Sequence, residues 1–215
     1  MPHDHHDHAA HSPSGHPYRP DQDTGLSYWQ QLEIAVRELL VEKGVTTDAD
    51  IARQIDQMDA RSPANGAAVV ARYWTDPDFA AAMRADAAAA TREMGFDIGP
   101  MHLVALPNDG GTHNVVVCTL CSCYPRNLLG LPPDWYKSRA YRSRTVREPR
   151  AVLAEFGVTL PDDVTVRVHD STADMRYIVI PARPAGTEGW DADRLAALVT
   201  RDSMIGTGLP LSPGA

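Results

Sequence analysis

Cysteine is almost absent from this chain: it occurs three times in 215 residues, always between positions 118 and 123. A disulfide framework needs partners far apart in sequence, so a stapled secreted scaffold is excluded and the cluster points to metal or redox chemistry. Long apolar runs are lacking as well. No stretch of about 18 residues could cross a bilayer, and the amino terminus is rich in His and Asp where an export signal would be basic and then apolar. A soluble, cytoplasmic protein is expected. Positive charge is scarce, since 20 Lys and Arg face 28 Asp and Glu for a formal charge of −8. That balance suits neither a nucleic acid nor a membrane surface as partner. What is present is a hydrophobic content of 43%, enough for one compact core and a smaller appendage.

Six of the nine histidines, His3, His5, His6, His8, His11 and His16, fall in the first 25 residues among Asp, Pro, Ser and Gly. Such a composition predicts a disordered tail, either simply solvated or able to gather metal through neutral imidazoles. From Leu26 the pattern turns helical: Leu26, Trp29, Leu32, Val36, Leu39 and Leu40 recur at three- and four-residue spacing until Gly44. Asp48 is the expected cap of a second helix carrying Ile51, Ile55 and Met58, which the stretch 62–66 breaks. Another helix is expected from Thr75-Asp76-Pro77 through the alanine-rich segment to Gly95. Residues 26–95 thus read as a helical region.

After Gly95 strands appear, at 102–106, 114–118, 164–168 and 176–180, interleaved with helices at 147–156 and 191–200. Too few regular crossover helices separate them for a doubly wound parallel sheet. The expected class is α+β, a helical N-terminal arm followed by a layered α/β catalytic domain over 96–211, with the cysteines in a loop after a strand.

Three soft sulfur ligands converge in Cys118-Thr119-Leu120-Cys121-Ser122-Cys123. A closed zinc site generally takes four protein ligands from two separated pairs, and no second Cys or His pair lies at that spacing. Because Cys121 and Cys123 flank a single residue, the intervening backbone nitrogens must lie close to any metal the sulfurs bind. Deprotonated amides together with thiolates suit a trivalent cobalt or iron centre better than zinc, and leave a position open for water or substrate.

The segment 117–123 (VCTLCSC) resembles the claw motif of the nitrile hydratase α-subunit family and of the related thiocyanate hydrolase γ subunits. Segments 129–137 (LGLPPDWYK), 141–144 (YRSR), 146–150 (VREPR), 183–190 (RPAGTEGW) and 198–206 (LVTRDSMIG) resemble the same family. The likeness spans roughly residues 26–207. It implies a metal held by the sulfurs of Cys118, Cys121 and Cys123 and the backbone nitrogens of Ser122 and Cys123. It further implies that Cys121 becomes a sulfinic acid and Cys123 a sulfenic acid, both acting in catalysis. Thr119 resembles the cobalt branch, where iron enzymes carry serine, so cobalt is expected rather than iron, one per chain. The family also implies a β-type partner subunit that closes the pocket, with a metallochaperone or activator as a further candidate partner.

Nitrile-to-amide hydration is the activity this resemblance implies. One departure favours an alternative: Arg126-Asn127 stands where nitrile hydratases usually have Trp-Pro, and thiocyanate hydrolase γ subunits resemble this chain there. An arginine lining the pocket would suit an anion such as thiocyanate; otherwise it meets a carboxylate of the partner. The stretch Gly99-Pro100-Met101-His102 is shorter than the family's pattern and offers no counterpart to its pocket glutamine. Arg142, Arg144, Arg147 and Arg150 either seat the partner or form a solvated basic face. His113 and His169 are expected to be structural, and a metal-delivery protein is the reading from a different class.

Overall fold

A computed structural model describes residues 25–121 and 123–214. The His-rich tail lies outside the described residues apart from position 25, and so does Ser122. Contacts divide the chain into two compact units, one ending at Ala52 and one beginning at Arg53.

In the first unit, α1 (Tyr28–Glu42) starts at a capping box in which Ser27 and Gln30 each bond the other's backbone N–H. It ends before Gly44, whose φ of 67° is the left-handed turn that the sequence reserved for glycine. The apolar stripe read from the sequence is present, and Trp29, Leu32, Val36 and Leu40 line an open groove with Ile51. The helix α2 (Asp48–Asp59) is capped differently from expectation. Thr47 Oγ1 accepts the N–H of Asp50 (3.1 Å), and Asp50 Oδ2 accepts the N–H of Thr47 (3.1 Å), so threonine rather than Asp48 holds the cap.

The second unit begins within α2 and continues with α3 (Pro63–Thr75), α4 (Pro77–Ala85) and α5 (Ala87–Glu93). Here the segment 62–66 starts a helix as well as ending one, because Pro63 sits in the first turn where its missing N–H costs nothing. Gly66 serves packing: a Cβ there would lie 2.2 Å from Leu129 Cδ2 and 2.7 Å from Met204 Sδ. The expected single alanine-rich helix is two. Asp76 caps α4 through the N–H of Phe79, and Asp86 caps α5 through that of Ala89, each aspartate side chain replacing a helical rung.

Four strands follow: β1 (His102–Pro107), β2 (Thr112–Val117), β3 (Thr165–Asp170) and β4 (Met175–Ile180). They pair as two separate ribbons, β1 with β4 and β2 with β3, both parallel. Parallel pairing demands a long crossover, and between β2 and β3 the chain supplies α6 (Arg126–Leu129), α7 (Asp134–Lys137), α8 (Arg139–Arg147) and α9 (Pro149–Glu155). Two short helices close the unit, α10 (Ala192–Ala196) and α11 (Arg201–Ile205). The α+β layered class holds. Sequence periodicity missed α8 because four arginines hide its narrow buried face, Tyr141 and Thr145. The core joins Val69, Val70, Met83, Ile98, Leu128, Leu129, Tyr136, Ile178 and Ile180 around both ribbons.

A buried polar chain ties the ribbons to α11. His113 Nε2–H donates to Gly206 O (2.7 Å), and its Nδ1 accepts from Asn108 Nδ2 (3.3 Å). Asn114 donates through Nδ2 to Pro107 O (3.0 Å) and Asn108 Oδ1 (2.9 Å), and accepts from His169 Nε2–H (2.8 Å). These partners assign His113 as the neutral Nε2–H tautomer and place a proton on His169 Nε2. Both histidines are thus structural, as the sequence reading held.

Burial holds the pKa of His113 below its ordinary 6.5, against the opposing pull of the Gly206 carbonyl. A depressed histidine is neutral in the fold and charged in the unfolded chain below pH 6.5, so its stabilisation is complete above that value and is lost as pH falls. The thermal midpoint is therefore expected to drop between pH 7.5 and 5.5. His113→Gln, which keeps a donor for Gly206 O but cannot titrate, should lessen that drop; an unaltered pH profile would show that His113 is not the titrating group.

Candidate metal centre

The claw begins where β2 runs out of partners. Val115, Val116 and Val117 are buried, and the last rung is the Ser171 N–H donating to Val117 O (2.7 Å). Cys118 follows at 0% exposure. An apolar strand locked into a parallel ribbon thus delivers the first sulfur from the core side, while Cys121 is exposed and Cys123 buried.

The three Sγ atoms lie within 4.8 Å of one another. Cys118 and Cys121 are 3.5 Å apart, Cys121 and Cys123 3.0 Å. Both separations exceed a disulfide's ~2.05 Å. They bracket the ~3.3 Å expected between two neighbouring sulfurs at right angles, each ~2.3 Å from one ion. The donor set therefore fits a metal bound through three sulfurs. Burial, then the hydrogen bonds from Cys121 and Cys118, pushes the Cys123 thiol up to about 12 against the pull of Arg176. Cys123 is thereby favoured as a thiol, and its binding to a metal must release that proton.

Backbone anchors surround the sulfurs. The Tyr136 hydroxyl donates to Cys123 O (2.8 Å) and the Tyr141 hydroxyl to Val116 O (2.7 Å). Burial raises the pKa of both phenols, which keeps them neutral donors. Trp135 packs edge-on against Tyr136, Tyr141 and Phe156 and so belongs to the scaffold. Asp170, at the end of β3, accepts from the Thr119 N–H (2.9 Å) and the Thr119 hydroxyl (2.5 Å). Thr119 is thus oriented by a carboxylate that no local sequence pattern connected with it.

A cavity of about 710 Å³ opens over Cys121 and Cys123. Arg126 lines it, together with Lys137 and Arg176, while Asp174 is the acid in its wall. Pro100, Met101 and His102, the short stretch after Gly99, also line it. Sequence reasoning singled out Arg126 but missed Lys137 and Arg176, which reach the same space from α7 and β4. Asn127, beside Arg126, lines it too and accepts from Arg61 (3.2 Å).

The four candidate arginines separate by role. Arg144 pairs with Glu148 (2.6 Å) and bidentately with Glu155 (2.6 and 2.9 Å). Arg150 binds the carbonyls of Leu160, Pro161, Asp162 and Val164, closing the loop before β3. Arg147 turns back onto Ser143 O (3.2 Å). Arg142 alone of the four points at the claw. Among the described residues no helix is long and apolar enough to cross a membrane.

The family model for the nitrile hydratase alpha chain matches residues 27–208. The low-molecular-weight cobalt-containing nitrile hydratase subunit alpha of Rhodococcus rhodochrous is 52% identical over 188 residues, covering 83% of this chain and 87% of the other. Thiocyanate hydrolase subunit gamma of Thiobacillus thioparus is 43% identical over 201 residues, with coverages of 88% and 82%. Among solved structures, a recombinant thiocyanate hydrolase comprising partially modified cobalt centres superposes with a TM-score of 0.81 at 43% identity, covering 88% of this chain and 92% of that one.

Proposed function

Because the chain belongs to the nitrile hydratase alpha-chain family, we propose that it is the metal-bearing catalytic subunit of an enzyme that adds water to a carbon–nitrogen triple bond, turning a nitrile into an amide. The observation that carries this reading is the convergence of three cysteine sulfurs beside a cavity that Cys121 and Cys123 line. The metal we assign is cobalt, one per chain, in keeping with the cobalt-containing relatives and with Thr119 in the claw. Its ligands are the sulfurs of Cys118, Cys121 and Cys123 and the backbone nitrogens of Ser122 and Cys123. A bound trivalent cobalt would supply the Lewis acidity that polarises the triple bond.

The chain's own residues do the rest. Cys121 carried to the sulfinic and Cys123 to the sulfenic level place oxygens at the cavity floor. The Cys123 oxygen then serves as base toward water or as nucleophile toward the substrate carbon. Tyr136 holds Cys123 by its carbonyl, so this oxygen acts from a fixed position. The open side of the cavity is left for a β-type partner subunit, with a metallochaperone as the route of loading and the cytoplasm as the compartment.

One observation favours a second substrate. Arg126, Lys137 and Arg176 face one cavity with Asp174 as its acid, a balance that attracts an anion and suits hydrolysis of thiocyanate to carbonyl sulfide and ammonia. A paired assay on the cobalt-loaded complex decides. If the cavity is anion-selective, thiocyanate is consumed faster than a small neutral nitrile and Arg126→Trp lowers the thiocyanate kcat/KM at least tenfold, about 1.4 kcal/mol of transition-state binding. Amide formation with thiocyanate untouched makes the chain a nitrile hydratase subunit and places Arg126 at polar substrates or the partner. Turnover of neither compound would sink the proposal.

A further inference from the structure

The ladder of β2 and β3 ends at Val117, yet the next residue is fully buried. A buried carbonyl without a donor is costly, so the C=O of Cys118 must find a partner outside the ribbon. It finds Arg142. The guanidinium donates from Nε to Cys118 O (2.9 Å) and from a terminal nitrogen to Thr119 O (2.7 Å). A planar fork can hold two successive carbonyls at once, which a single ammonium does less rigidly.

The carbonyls of Val116, Val117 and Cys118 alternate in direction, and α8 takes the ones that β3 does not, together with the next, Thr119 O. Tyr141 holds Val116 O, the Ser171 N–H takes Val117 O, and Arg142 takes Cys118 O and Thr119 O. The peptide unit joining Cys118 to Thr119 is gripped from both ends, since its N–H donates to Asp170 Oδ1 (2.9 Å) while its oxygen accepts from Arg142. A cation and an anion thus clamp the backbone between the first sulfur and the rest of the claw. Leu120, the next residue, is exposed.

We propose that Arg142 is a positioning residue for the metal claw: its fork replaces the missing strand rung beyond β2 and fixes the Cys118-Thr119 backbone, so that the three sulfurs stand ready to capture and retain the ion. It acts through the backbone and touches neither substrate nor sulfur. Preorganised ligands lose little conformational freedom on binding, so loosening this half of the claw weakens retention before it changes the fold. This rests on the reading of the claw as a metal site, and supplies the reason why an arginine sits one residue after the buried Tyr141 on α8.

The test uses the full chain with any subunit that co-purifies, produced in cobalt-supplemented cells, as wild type, Arg142→Ala and Arg142→Lys. Cobalt per chain, the rate of cobalt loss to excess chelator, the sulfur-to-metal charge-transfer absorption and the thermal melt are each recorded. Arg142→Ala is expected to lose cobalt at least tenfold faster than wild type and to show a shifted or weakened charge-transfer band. Arg142→Lys, retaining the charge without the fork, should fall between the two while melting close to wild type. Equal retention and an unchanged band in both variants would overturn the proposal. So would failure of even Arg142→Lys to fold, which would make Arg142 a folding residue. Wild-type protein without bound cobalt would instead overturn the underlying metal reading, a result distinguishable because it needs no variant.

Discussion

Cys118→Ser, Cys121→Ser and Cys123→Ser are each expected to leave a folded chain that holds little cobalt and turns over neither nitrile nor thiocyanate. A serine hydroxyl is nearly the size of a thiol but does not ionise near neutral pH, so it cannot replace a soft anionic ligand. A fall of ~10³ in rate corresponds to about 4 kcal/mol of barrier, and losing an ion that polarises the reacting bond accounts for at least that much. The fold should pay far less. Cys118 is the most exacting case, because its side chain is fully buried and a hydroxyl there costs ~1–3 kcal/mol unless it finds a partner. Metal analysis, turnover and thermal melting on the same preparations separate the two effects, and a metal-depleted variant of unchanged rate would remove the sulfur cluster from the mechanism altogether.

Gly206→Ala is expected to be the most damaging single-methyl change in the second unit. Gly206 ends α11 at φ 90°, and a Cβ there would stand 2.0 Å from Asn114 O and 2.9 Å from Val115 Cα. Both obstacles are backbone atoms of β2, which is paired along its length with β3 and cannot move aside. The left-handed conformation costs an L-residue ~1–2 kcal/mol and the overlap ~1–3 kcal/mol more, together a large share of a domain's total stability of ~5–15 kcal/mol. Gly157 is the control. Its φ is 80°, yet nothing lies within 4 Å of its Cβ position, so Gly157→Ala should show the conformational cost alone. Urea unfolding of the two variants measures the difference, and equal losses would mean that α11 does not press on β2 as described. If Gly206→Ala is recovered folded, weakened cobalt retention is also expected, since β2 carries Cys118.

Much of the site was legible because it is local. Three cysteines in six residues declare a ligand set without any knowledge of the fold, and a run of valines before them declares the strand that presents it. Helix boundaries were readable where one residue makes the boundary, as at Gly44, and less so where two side chains compete. Thr47 wins the cap from Asp48 because its hydroxyl reaches Asp50 while Asp50 reaches back. The alanine-rich segment reads as one helix by propensity, yet Asp86 interrupts it by capping the next. Segment 139–147 reads as a basic face, either solvated or seating a partner, and it proves to carry Tyr141 onto β2 and Arg142 onto the claw.

The sequence by itself determined which groups could bind a metal: the three sulfurs, their order along the chain, the strand-to-loop entry and an Arg126 placed three residues beyond the last of them. Composition and spacing suffice for such properties because they depend on neighbours along the chain. Only the tertiary structure decided what holds and faces those ligands. Asp170 lies 51 residues from Thr119, Arg142 lies 24 from Cys118, and Arg176 enters the cavity from β4. Parallel pairing of β2 with β3 and the packing of α8 across their ends bring these groups together. No periodicity records such a meeting, because the energy that enforces it belongs to the buried core as a whole and not to any one segment.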